Sequence, residues 1–152
     1  MAKANAKIQT SLQLKRTFAA PRERVFRTWT EPTELKKWFA PTDEYSMPIA
    51  QVDLRIGGNY RFGMKPPNTD VPYVAFGTFR EIRVPEKLVF TWSWENPDAN
   101  IGETLVTVEF RDLGGSTEII LTHDLFPDEK SRDDHNKGWT GCLGRLAKLV
   151  ST

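Results

Sequence analysis

The chain of 152 residues has the length of a single domain, and its 39% hydrophobic and 27% charged residues are ordinary for a globular protein. Its 21 basic and 20 acidic residues leave a net charge of +1, which gives no electrostatic basis for binding nucleic acid or an anionic membrane. One cysteine excludes an intrachain disulfide. Neither a secretory signal nor an apolar run long enough to span a bilayer is recognisable, so we expect one cytoplasmic domain over residues 1–152.

The first part of the chain predicts one strand followed by two short helices. Residues 8–19 alternate between apolar and polar side chains, as a half-buried strand does. Pro21 suits the first turn of a helix. Pro32 starts a second short helix in the same way, and that helix is expected to end near Pro41.

The middle of the chain has a period of two, which indicates strands. Residues 51–56 and 59–64 flank Gly57 and Gly58, which predicts a hairpin with a tight glycine turn. Four more strands are predicted at residues 72–84, 87–94, 103–113 and 116–126.

Alternation in the last three predicted strands separates a strongly apolar face from a mixed one. This is typical of an antiparallel sheet that is covered on one side only. The predicted inward-facing sets are Leu88, Phe90, Trp92 and Trp94, then Val106, Val108 and Phe110, then Ile119, Leu121 and His123.

The end of the chain predicts the one long helix. From residue 135 to residue 150 the apolar side chains recur every three or four residues, which is the spacing of a helix face. No other predicted element is long enough to cover the apolar face of the sheet. We therefore expect an α+β fold in which a curved seven-stranded antiparallel sheet wraps around a C-terminal helix.

Five segments in this order carry a family resemblance. They are APRERVFRTWTEPTELKKWF, DLRIGGNYRFGM, GTFREIRVPEKLVFTWSWE, TVEFRDLGGSTEIILTH and HNKGW. Through them the chain, from about residue 12 to residue 150, resembles the START-like (SRPBCC, helix-grip) superfamily. Within that superfamily it resembles the family of homologues of the activator of heat-shock-protein-ninety ATPase.

The resemblance implies a helix-grip fold with a cavity between the sheet and the last helix. It does not imply one activity, because relatives include lipid carriers, cyclases, hydroxylase domains and co-chaperone domains. The eukaryotic-type chaperone activators carry a further N-terminal domain that supplies much of the chaperone contact. Since only about ten residues precede the first predicted strand here, we do not expect chaperone activation to carry over.

Side chains on the predicted inner face are the candidates for lining this cavity. Aromatic side chains on strand faces usually fill a core, but a single helix laid across a curved sheet leaves space between bulky rings. The cavity-lining candidates are Trp38, Tyr60, Phe62, Phe76, Phe90, Trp92, Trp94, Leu121, His123, His135, Trp139 and Leu143.

The two histidines are the titratable candidates. His123 has the inward parity of its strand, and His135 lies one helical turn before Trp139. Two interpretations stay open: the rings exchange protons with a ligand as acid and base, or each ring hydrogen-bonds a nearby backbone group while it packs. A metal site with Cys142 is conceivable from the ligand types alone, but no spacing signature supports it. We therefore expect no metal, no cofactor and no assigned catalytic residue.

Three glycines interrupt the final helix, and each lowers helix stability by about 1 kcal/mol relative to alanine. Gly138 flanks the apolar face, so we expect the helix to approach the sheet closely there. Gly141 and Gly144 are predicted to point away from it. For these two, a contact surface such as a homodimer interface, a loosened lid and tolerated sequence drift all remain possible.

The leading functional hypothesis is a binding protein for a small hydrophobic or amphipathic ligand, held without a cofactor. The alternatives are a cyclase- or hydrolase-like enzyme that uses His123 and His135, and a chaperone-linked stress-response interaction module. The expected partner is a small apolar molecule, with a homodimer and a chaperone contact as further options. Nucleic acid binding and a membrane span are not expected.

Overall fold

A computed structural model describes residues 10–151, which form one antiparallel sheet and three helices. The strands are β1 Thr10–Phe18, β2 Ser46–Val52, β3 Asn59–Lys65, β4 Tyr73–Arg83, β5 Lys87–Trp94, β6 Thr104–Asp112 and β7 Thr117–Phe126. The helices are α1 Arg22–Thr30, α2 Pro32–Trp38 and α3 Glu129–Val150, with one 3₁₀ turn at Pro97–Ala99. The predicted α+β helix-grip fold is confirmed. The predicted strand at residues 8–19 is β1, although residues 8 and 9 lie outside the described range.

The sheet has the strand order β1-β7-β6-β5-β4-β3-β2. The first strand therefore pairs with the last one, and β1 and β2 form opposite edges. Helices α1 and α2 connect these two edges. Helix α3 lies against the inner face and buries Trp139, Cys142, Leu143, Leu146 and Val150. No helix within residues 10–151 combines the length and the apolar character needed to cross a bilayer.

The inner face of the sheet follows the predicted alternation in its central strands. The side chains predicted to point inward on β6 and β7 are all fully buried, and on β5 only Trp94 is half-buried. Phe76, on β4, was predicted to face inward, and this is wrong. Its neighbours Ala75 and Gly77 occupy the buried positions, so the Phe76 ring is 39% exposed on the opposite face.

The first predicted hairpin exists, but its first strand lies earlier than expected. Strand β2 pairs with β3, with Val52 opposite Tyr60, whereas residues 53–58 form a loop. The alternation at residues 51–56 misleads because Ile56 is 70% exposed rather than buried. The loop turns at Gly57, which has a φ of +83°, a conformation that glycine adopts readily.

A β-bulge near the end of β7 turns two side chains toward the interior. Thr10 pairs with Phe126 and Leu12 pairs with His123, so β7 contains one extra residue there. Leu125 adopts a φ of 75° within this bulge. As a result His123 and Phe126, three residues apart, are both completely buried.

The three glycines of α3 have three different surroundings. A Cβ atom added at Gly138 would meet no atom within 4 Å, so the expected close approach to the sheet is wrong. A Cβ added at Gly141 would overlap the carbonyl oxygen of Pro41 and lie 3.0 Å from its carbonyl carbon. Gly141 is therefore where the connection from α2 to β2 crosses the helix, and not an outward-facing position. At Gly144 the nearest atom is Arg16 Nη1, at 3.8 Å.

Candidate functional site

A cavity of about 440 Å³ lies between the N-terminal half of α3, the connection from α2 to β2, and the end of β5. Its apolar lining consists of Phe39, Pro41, Met64, Trp92, Ala99, Ile101, Gly138, Trp139 and Cys142. Its more polar part consists of Tyr73, Trp94, Asp98, Lys130, Ser131, Asp134 and His135. The volume falls in the range of small-molecule sites, which are mostly apolar with a few polar groups.

Four of the twelve predicted cavity residues line this space, namely Trp92, Trp94, His135 and Trp139. Phe76 is on the outer face of the sheet and cannot reach the cavity. The remaining seven are buried in the core beside it without forming its wall: Trp38, Tyr60, Phe62, Phe90, Leu121, His123 and Leu143.

Sequence reasoning misses most of the polar part of the lining, apart from Trp94 and His135. Lys130 and Asp134 lie in the first two turns of α3, while Asp98 and Ile101 lie in the connection between β5 and β6. These segments are far apart in the chain and carry no shared motif. The order of strands in the sheet brings them together, and no local pattern could have revealed it.

His123 is a completely buried histidine with both ring nitrogens engaged. Trp139 Nε1 donates to Nδ1 over 3.0 Å, so Nδ1 carries no proton. Nε2 therefore donates to Thr104 Oγ1 over 2.7 Å, and that hydroxyl donates to the carbonyl oxygen of Trp92 over 2.9 Å. Burial, and to a smaller extent the nearby His135, lower the pKa of His123 to about 2. His123 is thus a neutral ring that connects α3 to three strands.

His135 is held in a comparable way at the side of the cavity. Its Nδ1 lies 2.8 Å from the carbonyl oxygen of Ser131, to which it donates. Its Nε2 accepts a hydrogen bond of 3.0 Å from Trp94 Nε1. Burial lowers the pKa of His135, and the hydrogen bond to Ser131 opposes part of that effect. The centres of the two imidazoles are 5.2 Å apart.

This geometry leaves the acid–base hypothesis without its two candidate residues. A general acid or base needs a ring nitrogen that can reach the substrate. In His123 and His135 every ring nitrogen already has a protein partner. Burial lowers the pKa of both rings and so favours their neutral form. Burial also raises the pKa of the Cys142 thiol to about 12, which disfavours a reactive thiolate. Residues 10–151 contain no group of three His, Cys, Asp or Glu side chains that could hold a metal ion.

The charged groups of the site are exposed and paired. Lys130 Nζ donates to Asp134 Oδ2 over 2.9 Å, and both side chains are more than half exposed. Tyr73 Oη donates to Asp98 Oδ2 over 3.2 Å, and this carboxylate raises the pKa of Tyr73. The interior of the cavity is therefore aromatic and uncharged, and its charges lie at the solvent side.

A curved antiparallel sheet with a long C-terminal helix across its inner face defines a helix-grip domain, in general a ligand-binding type of domain. Residues 19–151 match the family described as Activator of Hsp90 ATPase homolog 1-like protein, and the chain belongs to this family. The family resemblance of the sequence is thereby confirmed. No curated protein matches the chain.

Several solved structures share the fold along nearly their whole length. A Chromobacterium violaceum protein superposes with a TM-score of 0.84 and 24% identity, over 93% of this chain and 97% of that one. The AHSA1 protein of Silicibacter pomeroyi has a TM-score of 0.82 and 25% identity, over 93% and 98%. A Nitrosomonas europaea protein has a TM-score of 0.76 and 26% identity, over 93% and 94%.

Proposed function

We propose that this protein binds a small hydrophobic or amphipathic molecule in the cavity between the sheet and α3. The observation that carries the proposal is the cavity itself, about 440 Å³ in volume, with walls formed by Trp92, Trp139 and Phe39. These three side chains are at most 3% exposed, so the packed core holds them in place. A ligand that enters the cavity gains about 25 cal/mol for each Å² of apolar surface, chiefly its own, that is removed from water.

The arrangement of the polar groups supports binding rather than proton transfer. His135 and His123 accept hydrogen bonds from the indole N–H groups of Trp94 and Trp139 and thereby hold these two rings in place. Neither histidine presents a free ring nitrogen to the cavity. The paired charges lie at the mouth, where the polar end of an amphipathic molecule remains in water. The site therefore suits a ligand whose apolar body lies inside the cavity and whose polar group stays hydrated at the mouth.

Filling the cavity from α3 tests the proposal. Gly138 lines the cavity and a Cβ added there meets no atom within 4 Å, so Gly138→Leu extends a side chain into the cavity. Gly144→Leu is the matched control, because Gly144 lies on the same helix but does not line the cavity. Titration with the uncharged dye Nile red, followed by fluorescence, measures binding to each protein.

We expect saturable binding to the wild type and to Gly144→Leu, and at least a tenfold loss of affinity in Gly138→Leu. Equal affinity in all three proteins would place the dye elsewhere and contradict the proposal. Absence of saturable binding to the wild type would contradict it as well. Native mass spectrometry of protein purified from its own cells then identifies the mass of a retained ligand.

A further inference from the structure

Three tryptophans line the cavity, but only two of them have an acceptor for the indole N–H. Trp94 donates to His135 and Trp139 donates to His123. Trp92 Nε1 is buried and has no hydrogen-bond partner within residues 10–151. Most buried polar groups in proteins are paired, and an unpaired donor loses its hydration without compensation. Among the three cavity tryptophans, Trp92 is therefore the one whose N–H needs an explanation.

Trp92 lies at the centre of the aromatic wall. Its ring centre is 5.3 Å from that of Trp139 and 5.5 Å from that of Trp94, and the side chain is only 3% exposed. The Nε1 atom itself is covered by neighbouring atoms, so a ligand oxygen reaches it only when one of the surrounding side chains moves aside. Met64 lines the same cavity, and methionine is the side chain that adapts most easily to such a shift.

The other polar groups of the cavity limit what the inserted part of a ligand can carry. The ring nitrogens of His135 and the N–H groups of Trp94 and Trp139 are already used within the protein. The charged side chains lie at the exposed side, and Lys130 is paired with Asp134. A buried charge on the ligand would have no opposite charge beside it and would be strongly disfavoured.

We propose that Trp92 is the specificity-determining donor of this cavity and that the ligand is an uncharged aromatic molecule with a carbonyl-type oxygen at its inserted end. Trp92 Nε1–H donates to that oxygen, and the rings of Trp92 and Trp139 pack against the aromatic body. This inference rests on the proposed binding function and specifies the class of ligand.

Trp29 provides a matched control. Its Nε1 is also buried without a partner, and its side chain is also 3% exposed. Trp29 stacks on Trp139, with ring centres 6.0 Å apart, but it does not line the cavity. Each of the variants Trp92→Phe and Trp29→Phe thus removes one unpaired indole N–H from the core. Only Trp92→Phe removes it from a residue that lines the cavity.

Two probes of nearly equal shape isolate the hydrogen bond. The ketone 2-acetylnaphthalene has an oxygen where 2-isopropenylnaphthalene has a CH₂ group. Because the alkene leaves water more readily, the informative quantity is the ratio of the ketone and alkene affinities in each protein. We expect Trp92→Phe to lower this ratio about fivefold and Trp29→Phe to leave it unchanged. We also expect 2-naphthoate, charged at the same position, to bind the wild type more weakly than the ketone.

The NMR signal of the Trp92 indole N–H gives a second measurement that requires no stable variant. The ketone should shift this signal downfield in the wild type, whereas the alkene should not, and Trp29 should not respond in this way. An unchanged affinity ratio in Trp92→Phe, an unmoved Trp92 signal, or tighter binding of the naphthoate would overturn the inference while the binding function stands. Failure of both neutral probes to bind would instead count against the proposed function.

Discussion

Alanine substitutions at two glycines of α3 should change stability in opposite directions. At Gly144 the new methyl group meets only Arg16 Nη1, at 3.8 Å, which is an ordinary contact with a flexible side chain. Gly144→Ala should therefore stabilise the protein by about 1 kcal/mol, through helix propensity and a more restricted unfolded chain. At Gly141 the methyl group would overlap the carbonyl oxygen of Pro41 and lie 3.1 Å from the Pro41 Cα.

The obstacle at Gly141 is backbone, which cannot rotate away as a side chain can. Overpacking of this kind destabilises proteins by about 1–3 kcal/mol, and we place Gly141→Ala at the upper end of that range. The gain in helix propensity offsets about 1 kcal/mol, which leaves a net loss of about 2 kcal/mol. The two variants should thus differ by about 3 kcal/mol although they lie one helical turn apart.

Urea unfolding followed by far-UV circular dichroism measures both free energies, with the m-value as a check that the unfolded states are comparable. If Gly141→Ala is as stable as Gly144→Ala, then the connection from α2 to β2 yields at no cost, and the packing argument fails. A loss in Gly144→Ala would mean that another surface packs on this side of the helix, as in a dimer. Sedimentation would then show the change in association.

Three further predictions concern stability. The folded-state pKa of His123, about 2, lies below the unfolded value of about 6.5, so the unfolded chain binds the extra proton as the pH falls. Protonation of His123 in the unfolded chain should therefore lower the free energy of unfolding by about 2 kcal/mol at pH 5 relative to pH 7. His123→Gln should not show this loss. Observation by NMR that the His123 ring titrates near pH 6.5 in the folded protein would contradict the prediction. Leu125→Gly should have a higher thermal midpoint than Leu125→Ala, because both variants lose the leucine contacts but only glycine relieves the roughly 1 kcal/mol cost of a φ of 75°. Equal midpoints would show that the bulge is not strained. Arg145 donates hydrogen bonds to Asp43 and to carbonyl oxygens at the end of α2, so Arg145→Ala should lower the free energy of unfolding in urea by about 2 kcal/mol. Lys130→Ala breaks only an exposed ion pair and should lower it by at most about 0.5 kcal/mol. Equal losses in the two variants would contradict the larger role given to Arg145.

The sequence by itself determined the order of elements and most of the inner face. In a regular strand the side chains alternate between two faces, so one buried residue assigns its whole strand. This is why the inward sets of β6 and β7 could be predicted. Phe76 faces outward by the same alternation, because Ala75, Gly77 and Phe79 hold the buried positions of β4. Two of these are small residues that do not reveal the inward face in the sequence, and a Cβ at Gly77 would overlap the carbonyl oxygen of Thr91 on the neighbouring strand. That neighbour is known only once β4 and β5 are paired.

The candidate site depended more on the tertiary structure. Trp92, Trp94, His135 and Trp139 were predicted because each lies on an apolar face of its own element. Which nitrogen each ring engages could not be predicted, since Trp94 and His135 are 41 positions apart in the chain and meet only across the sheet and helix. The role of the two histidines, as neutral acceptors for the indole N–H groups of Trp94 and Trp139, thus depends on partners that are distant in the sequence.

The glycines of α3 show the same division on one helix. Periodicity identifies the face that α3 buries, because that face belongs to the helix itself. What touches the rest of its surface depends on the path of the chain more than ninety residues earlier, where Pro41 crosses at Gly141 and leaves Gly138 beside open space. Local spacing reports how a segment folds, whereas a cavity is the space that several distant segments leave between them, and only their packing decides where it lies.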